Sequence, residues 1–172
     1  MANSTPFRIA INGYGRIGQC VLRALYENGY RDHLQVVAIN ELSDIDTIAH
    51  LTKYDSTHGR FHGEVAVDGD NLVVNGDRIR VLRHPDPSDL PWRLLDVDLV
   101  LECSGAYSDR ATAEKHIEAG AQRLLFSQPG ESDVDRTVVF GINDHQLNAE
   151  DVIVAAGSCT TNCLVPVIKV LD

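Results

Sequence analysis

The chain lacks any apolar run near the roughly 20 residues that a membrane-spanning helix needs, so no segment is expected to cross a bilayer. Its first residues, Met1-Ala2-Asn3-Ser4-Thr5-Pro6, contain neither the basic nor the apolar stretch of a secretory signal. Clustered Lys and Arg are also missing. With 15 basic against 25 acidic residues the formal charge is -10, which argues against a nucleic-acid partner, whose phosphates select clustered cations. Cysteines 20, 103, 159 and 163 do not pair at metal-ligand spacing: Cys159-x-x-x-Cys163 is half of such a pattern, and no second Cys/His pair completes it. Free thiols suit a reducing compartment, so the expected location is the cytoplasm. Repeats, low-complexity tracts and interdomain linkers are absent. What remains is an acidic globular chain of 172 residues, 44% hydrophobic and 23% charged, long enough to bury roughly two-thirds of its unfolded surface.

Within that composition the order of elements is legible. Phe7 to Asn12 is a short apolar run that leads into Gly13-Tyr14-Gly15-Arg16-Ile17-Gly18. Ile17, Cys20, Val21, Ala24 and Leu25 recur at helical spacing and predict an apolar helix face, stopped by Gly29. Gln35 to Ile39 is a second strand, giving a βαβ unit. Ser43 with Asp46 predicts a capping box for a helix through Ile45, Ile48 and Ala49. Val65 to Leu82, punctuated by Asp68-Gly69 and Asn75-Gly76, predicts an antiparallel meander, since those pairs supply the positive φ that tight hairpins require. Val97 to Cys103 reads as a buried strand. Ser108 is the expected cap of a helix reaching Ala119 and ended by Gly120; Arg123 to Ser127, Thr137 to Phe140 and Val152 to Ala156 are further apolar strands. The alternation predicts an α/β fold, a doubly wound and mostly parallel Rossmann sheet with the meander as an antiparallel insertion. The last segment, Cys163 to Asp172, begins a helix with no stop signal, so the chain is expected to be a fragment.

Two motifs carry chemistry. In the glycine loop, Gly13 permits the tight turn after the strand, Gly15 lets the backbone approach a pyrophosphate, and Gly18 lets the helix pack close. The helix N-terminus, at Arg16 and Ile17, presents N–H groups to phosphate charge. Glu41 lies 23 residues after Gly18, just past the second strand; a carboxylate there accepts ribose hydroxyls and repels a 2′-phosphate, which favours NAD over NADP. The second motif is Ser158-Cys159-Thr160-Thr161-Asn162-Cys163, at a strand-to-helix turn where dipole and N–H groups stabilise a thiolate. Cys163, one turn later, is expected to face inward, while Cys20 and Cys103 read as small buried hydrophobes. A thiol that traps an aldehyde, next to a cofactor that accepts a hydride, makes an aldehyde dehydrogenase. None of the seven histidines, all of which precede the thiol, is an evident base; His58 and His62 read as structural.

Asn12 to Gly18, Lys53-Tyr54-Asp55-Ser56-Thr57-His58-Gly59-Arg60-Phe61 and Ser158 to Cys163 together resemble the glyceraldehyde-3-phosphate dehydrogenase family, over Phe7 to Asp172. Asn40-Glu41-Leu42 and Leu125-Phe126-Ser127-Gln128-Pro129-Gly130 are more similar to its D-erythrose-4-phosphate dehydrogenase branch than to the glycolytic branch. The resemblance implies that Cys159 is the nucleophile and that Ser158 and Thr160 touch the substrate. It implies NAD contacts from Asn12, Gly13, Gly15, Arg16, Ile17, Gly18, Glu41, Ser104, Gly105 and Ser127. It further implies a small phosphorylated aldehyde as substrate and a homotetrameric full-length enzyme. The family's catalytic His, substrate-phosphate residues and nicotinamide-positioning Asn have no counterpart before Asp172. Residues 1–156 are therefore expected to be the NAD-binding domain and 157–172 the start of a catalytic domain, and the isolated chain is expected to be inactive. Three departures from the family pattern stand out: Ala156-Gly157 replaces the usual Asn-Ala before the Ser-Cys pair, Pro85 stands where an Arg touches the adenine side, and Gln19 replaces an Arg. Two other readings are an NAD-binding module without catalysis and an interaction domain with vestigial motifs.

Overall fold

The computed structural model describes residues 6–171. In chain order the main elements are β1 (Phe7–Asn12), α1 (Arg16–Glu27), β2 (Leu34–Asn40), α2 (Ile45–Lys53), β3 (Tyr54–Asp55), β4 (Gly59–Arg60), β5 (Val65–Asp68), β6 (Asn71–Val74), β7 (Asp77–Leu82), β8 (Leu99–Glu102), α3 (Arg110–Glu118), β9 (Arg123–Phe126), β10 (Arg136–Thr137), β11 (Ile153–Ala155) and α4 (Cys159–Leu171). Nine strands form one sheet in the order β10-β11-β9-β8-β1-β2-β7-β6-β5, and β3 pairs with β4 in a separate short ribbon. From β10 to β7 every pairing is parallel; only β5–β6 and β6–β7 are antiparallel. The fold is therefore the expected doubly wound α/β sheet. The meander is joined to it through the parallel pairing of β7 with β2, so it extends the sheet at one edge. Among the described residues no helix is long and apolar enough to cross a membrane.

Both faces of the central strands are covered, which is why Ile9 to Ile11 and Val36 to Ile39 are apolar without a break. Ile9, Ile11, Val36, Ile39, Leu22, Leu25 and Ile48 form one core under α1 and α2. Ala10, Ala38, Val100, Leu124, Phe126, Trp92 and Ala113 form the other, on the side of α3. A register shift between Ile9 and Ala10 opposes Val36 to Ile9 and Ala38 to Ala10. Val37 is the extra residue of that bulge, and it sends consecutive side chains, Val37 and Ala38, to the same core.

Several local expectations change. The buried side of α1 consists of Gly18, Gln19, Leu22, Arg23 and Leu25, while Ile17 is 47% exposed and Ala24 faces solvent. Of the predicted stripe, Leu25 is buried, Cys20 and Val21 are half-buried at its edge, and Ile17 and Ala24 face solvent. The reason lies at Gly18: a Cβ there would stand 2.4 Å from the Gly13 carbonyl oxygen, so this position makes the contact with the strand and sets the rotation of the helix. Arg23 is buried because its guanidinium donates to the Gly59 carbonyl (3.0 Å) and lies over the Phe61 ring. Asp44, not Ser43, caps α2, accepting from the Thr47 N–H (2.8 Å). Likewise Asp109, not Ser108, caps α3, accepting from the Thr112 N–H (2.8 Å). In both cases the Asp stands immediately before the first helical residue, where its carboxylate accepts from the third N–H of the helix. The strand expected over Thr137 to Phe140 is only β10. Val139 N–H donates to the Asn143 side chain, Gly141 adopts φ +76°, and Phe140 is left 88% exposed on the turn. Finally, no residue of α4 is buried, and Cys163 is exposed, contrary to its expected inward placement.

Candidate active site

All parallel strands end at the same edge of the sheet, and a cleft of about 310 Å³ lies there. Its lining comes from the ends of three adjacent strands and the loops after them. Asn12, Gly13 and Gly15 follow β1; Asn40, Glu41 and Leu42 follow β2; Cys103, Ser104, Ala106 and Tyr107 follow β8. His84 and Pro85, beyond β7, complete it. The connection out of β1 crosses over to β2 on one side of it, and β8 lies on the other. That is the switch point at which open α/β sheets bind ligands.

The glycine loop has the freedom the sequence predicts. Gly13 has φ +86°, and its approach to Ser104 leaves no room for a side chain. At Gly15, by contrast, nothing lies within 4 Å of where a Cβ would stand, so the backbone is open to a ligand. Gly15 is also the N-cap of α1 and supplies no side-chain cap, which leaves first-turn N–H groups for an anion. The Arg16 guanidinium is paired with Asp55, so what Arg16 offers at the cleft is its backbone N–H.

Glu41 is the acid at the end of β2. Its Oε2 accepts from the Tyr14 N–H (2.8 Å) and its Oε1 from the Leu42 N–H (2.8 Å) and the Ser43 N–H (3.3 Å). The Ser43 hydroxyl also donates to Oε1 (3.3 Å), so the carboxylate ties the glycine loop to the loop after β2 while lining the cleft, and its open acceptor site is on Oε2. A dinucleotide fits this donor and acceptor set: open backbone at Gly15, unsatisfied N–H groups at the helix start, and an anionic acceptor one loop away.

The chain matches the family model described as "Glyceraldehyde 3-phosphate dehydrogenase, NAD binding domain" over residues 7–110, more than half of its length. The chain belongs to this family. Its dinucleotide is NAD, and the matched span contains the glycine loop, Glu41 and the Ser104–Gly105 turn.

Not every residue expected of a dehydrogenase of this family gathers in the cleft. Asn12, Gly13, Gly15, Glu41 and Ser104 line it; Ile17 points outward, Gly18 is buried against Gly13, and Gly105 turns the loop with φ +73°. Ser127 lies at the end of β9, where its N–H donates to the Glu102 carbonyl (3.0 Å) and its side chain hydrogen-bonds the Cys103 thiol. Burial pushes that thiol up to about 11, with the Ser127 bond opposing it, so Cys103 is an inert wall of the cleft. Pro85 and His84 line the cleft where the family has its adenine-side Arg, while Arg83 turns away to the Ser43 carbonyl (3.3 Å).

The thiol segment stands beyond β11, at the same edge of the sheet. Gly157 (φ +70°) makes the turn and Cys159 opens α4, as predicted. The Ser158 hydroxyl accepts from the Thr161 N–H (2.9 Å) and contacts the hydroxyls of Thr160 (3.0 Å) and Thr161 (2.7 Å). Asn162 holds the turn from the other side, donating to the Ala156 carbonyl (2.7 Å). None of these bonds uses the Cys159 thiol, which is exposed.

The segment Lys53 to Phe61 forms a clasp beside α1. Asp55 Oδ1 accepts from the Thr57 and His58 N–H groups (both 2.7 Å), and Oδ2 takes the Arg16 guanidinium. The His58 N–H contributes most to holding this carboxyl down at about 2; partial desolvation opposes it, and the Thr57 N–H and Arg16 add to it. Cys20, Asp55 and His58 bring potential ligand atoms within 4.8 Å of one another. The Asp55 oxygens are already saturated, so the group is better read as a loop clasp than as a metal site.

Sequence reasoning missed the polar floor of the cleft. Asn40 Nδ2 donates to Asn12 Oδ1 (2.7 Å) and to the His84 carbonyl (2.9 Å), and the His84 N–H returns a bond to Asn40 Oδ1 (2.9 Å). Glu102, 1% exposed, lies beneath Asn12 and Ser104 and binds both. The available signal was a pair of Asn residues ending adjacent strands and a Glu ending a third, each next to apolar residues that are buried or half-buried.

Proposed function

We propose that this chain is the NAD-binding portion of a dehydrogenase acting on a phosphorylated aldose, oxidising D-erythrose 4-phosphate to 4-phosphoerythronate through a thioester on Cys159. The segment from Gly157 onward is the start of its catalytic part, and the full enzyme is a homotetramer. The observation that carries the reading is the presence of a dinucleotide cleft and a helix-start thiol at one edge of one sheet. The preference for the four-carbon substrate rests on Asn40-Glu41-Leu42 and Leu125 to Gly130. Phosphorylating oxidation of glyceraldehyde 3-phosphate is the second reading, and it uses the same thiol and cleft.

In this chemistry the Cys159 thiolate adds to the aldehyde carbon to form a hemithioacetal, and the helix-start N–H groups and dipole stabilise the anionic sulfur beforehand. NAD, bound in the cleft, supplies the hydride acceptor. A base takes the hemithioacetal proton as the hydride leaves, and the product at Cys159 is a thioester. Water then releases the acid and restores the thiol; inorganic phosphate in its place would release an acyl phosphate. Ser158 and Thr160 flank the thiol and supply the hydroxyls nearest the bound aldehyde.

The test is to incubate the protein with NAD and each aldehyde phosphate in turn, following NADH by absorbance and the Cys159 adduct by peptide mass spectrometry. Oxidation of D-erythrose 4-phosphate without inorganic phosphate, with an acyl mass on Cys159, is the expected result for the full enzyme. Turnover confined to glyceraldehyde 3-phosphate with phosphate would replace the first reading by the second. For the chain as it stands, NAD binding without turnover is expected, because no imidazole hydrogen-bonds the thiol among the described residues.

Glu41 is the residue that sets the cofactor preference. Replacing it by Ala removes both the charge that repels a 2′-phosphate and the tie to Tyr14, so the preference for NAD over NADP should fall by about tenfold, with NAD itself bound more weakly. Parallel calorimetric titrations with the two cofactors measure this. Equal discrimination by the parent chain and Glu41→Ala would remove Glu41 from that role.

A further inference from the structure

Beneath the cleft a chain of buried polar groups runs away from the cofactor side to a residue the chemistry does not use. The Trp92 indole N–H donates to His116 Nδ1 (3.0 Å), and both residues are fully buried. An indole nitrogen can only donate, so Nδ1 is the accepting nitrogen and the neutral ring carries its proton on Nε2. That Nε2 faces Glu102 Oε2 at 3.4 Å, too long for a well-formed hydrogen bond, and it has no other partner. Glu102 in turn accepts from Asn12 Nδ2 through the same Oε2, and from the Ser104 N–H (2.8 Å) and hydroxyl through Oε1. Asn12 and Ser104 line the cleft, whereas Glu102 and His116 do not.

We propose that Glu102 and His116 are positioning residues for the dinucleotide: the buried carboxylate holds Asn12 and Ser104 in their cleft-lining poses, and His116, locked by Trp92 as its Nε2–H tautomer, restrains that carboxylate from behind. Every acceptor direction of Glu102 faces a donor, so the carboxylate stays anionic. Burial alone would raise its pKa, but the contacts from His116, Ser104 and Asn12 together outweigh it, and the carboxyl titrates below its ordinary range. The Ser104 hydroxyl proton is committed to Glu102, and the oxygen already accepts from the Ala106 N–H (3.1 Å). The turn that meets Gly13 is therefore pinned at its first residue. Loss of the Nε2–H would free the carboxylate to rotate and release Asn12 and Ser104 together. The long Nε2 contact is what a restraint of adjustable length looks like: the imidazole limits the carboxylate without competing with Asn12 for the same lone pair.

The proposal rests on the cleft being the NAD site, and two histidine replacements separate positioning from mere packing. His116→Gln places an amide near Nε2 and keeps a donor toward Glu102; His116→Asn places one near Nδ1 and keeps an acceptor for Trp92. Both should lower the urea midpoint, since each abandons one buried partner. NAD affinity by calorimetry should stay within about threefold of the parent in His116→Gln and fall at least about tenfold in His116→Asn. Glu102→Gln, which puts an NH₂ against two donors, should also weaken NAD at least about tenfold while the far-ultraviolet dichroism is retained. Equal affinities in the two histidine variants would overturn the proposal. Should either variant fail to fold, long-range proton–nitrogen NMR on the parent chain still decides: a protonated Nδ1 at His116 overturns the proposal, and a protonated Nε2 whose shift moves when NAD is added supports it. A parent chain that binds no NAD would instead defeat the assignment of the cleft, and the positioning role with it.

Discussion

Gly13→Ala should cost about 3–5 kcal/mol of folding stability and abolish NAD binding, the largest single-residue effect expected outside the buried aromatic core. Two independent penalties meet at this position. A residue with a Cβ pays about 1–2 kcal/mol for the left-handed conformation that Gly13 adopts at φ +86°. The added Cβ would also stand 2.3 Å from Ser104 Cα and 2.4 Å from Ser104 N, which is backbone and cannot swing aside. Relief would require the turn after β8 to retreat. That turn is held by the Cys103 N–H donating to the Asn12 carbonyl (2.7 Å) and by the grip of Glu102 on Ser104. Gly29→Ala is the matched control. Its φ is +74°, but nothing lies within 4 Å of the added atom, so only the conformational cost of about 1–2 kcal/mol remains. Urea denaturation of the two variants beside the parent chain measures the difference. If Gly13→Ala were no less stable than Gly29→Ala, the close approach of the two loops would have to be discarded.

Trp92→Ala should cost about 3–5 kcal/mol, comparable to Gly13→Ala but through a different mechanism. Trp92 is 0% exposed and packs with Leu90, Val97, Val100 and Phe126 in the core on the α3 side. Its ring also lies nearly parallel to His116, 6.2 Å between centroids, while its N–H satisfies His116 Nδ1. Truncation leaves a cavity and orphans a buried nitrogen at once. Trp92→Phe keeps much of the packing and removes the donor, so it should cost about 1–3 kcal/mol. The ordering parent, Trp92→Phe, Trp92→Ala in thermal or urea midpoints is the expected result. A Trp92→Ala chain within about 1 kcal/mol of the parent would mean that the core relaxes around the loss, against the close packing described above.

Both effects reach the cofactor cleft from behind. Gly13 and Ser104 set the distance between the loops after β1 and β8, while Trp92 and His116 sit under Glu102, which holds Ser104. The cleft is shaped as much by buried contacts beneath it as by residues that would touch a ligand. This explains why Arg16, prominent in the motif, has its side chain engaged with Asp55, whereas Glu102, which carries no motif, joins the ends of two adjacent strands.

Much of this was decided by local chemistry, and the sequence alone determined it. Apolar runs bounded by Gly and Asn predict parallel strands; Asn75 and Gly76, at φ 49° and 88°, form the expected hairpin turn; the glycine loop links β1 to α1, and Cys159 opens a helix. Each of those features depends on residues within a few positions of one another, where backbone sterics leave few choices. Tertiary structure decided the rest. The rotation of α1 depends on which position meets the strand, and Gly18, with no side chain, wins that place over Ile17. Asp44 and Asp109 displace the predicted caps because their oxygens reach the third N–H of each helix. Asn12, Asn40, Glu102 and His116 come from four elements separated by up to 104 positions (116 minus 12), and no periodicity links them. Only the parallel order β8-β1-β2 brings their side chains together, because burying any one of these polar groups is costly until the others arrive to satisfy it.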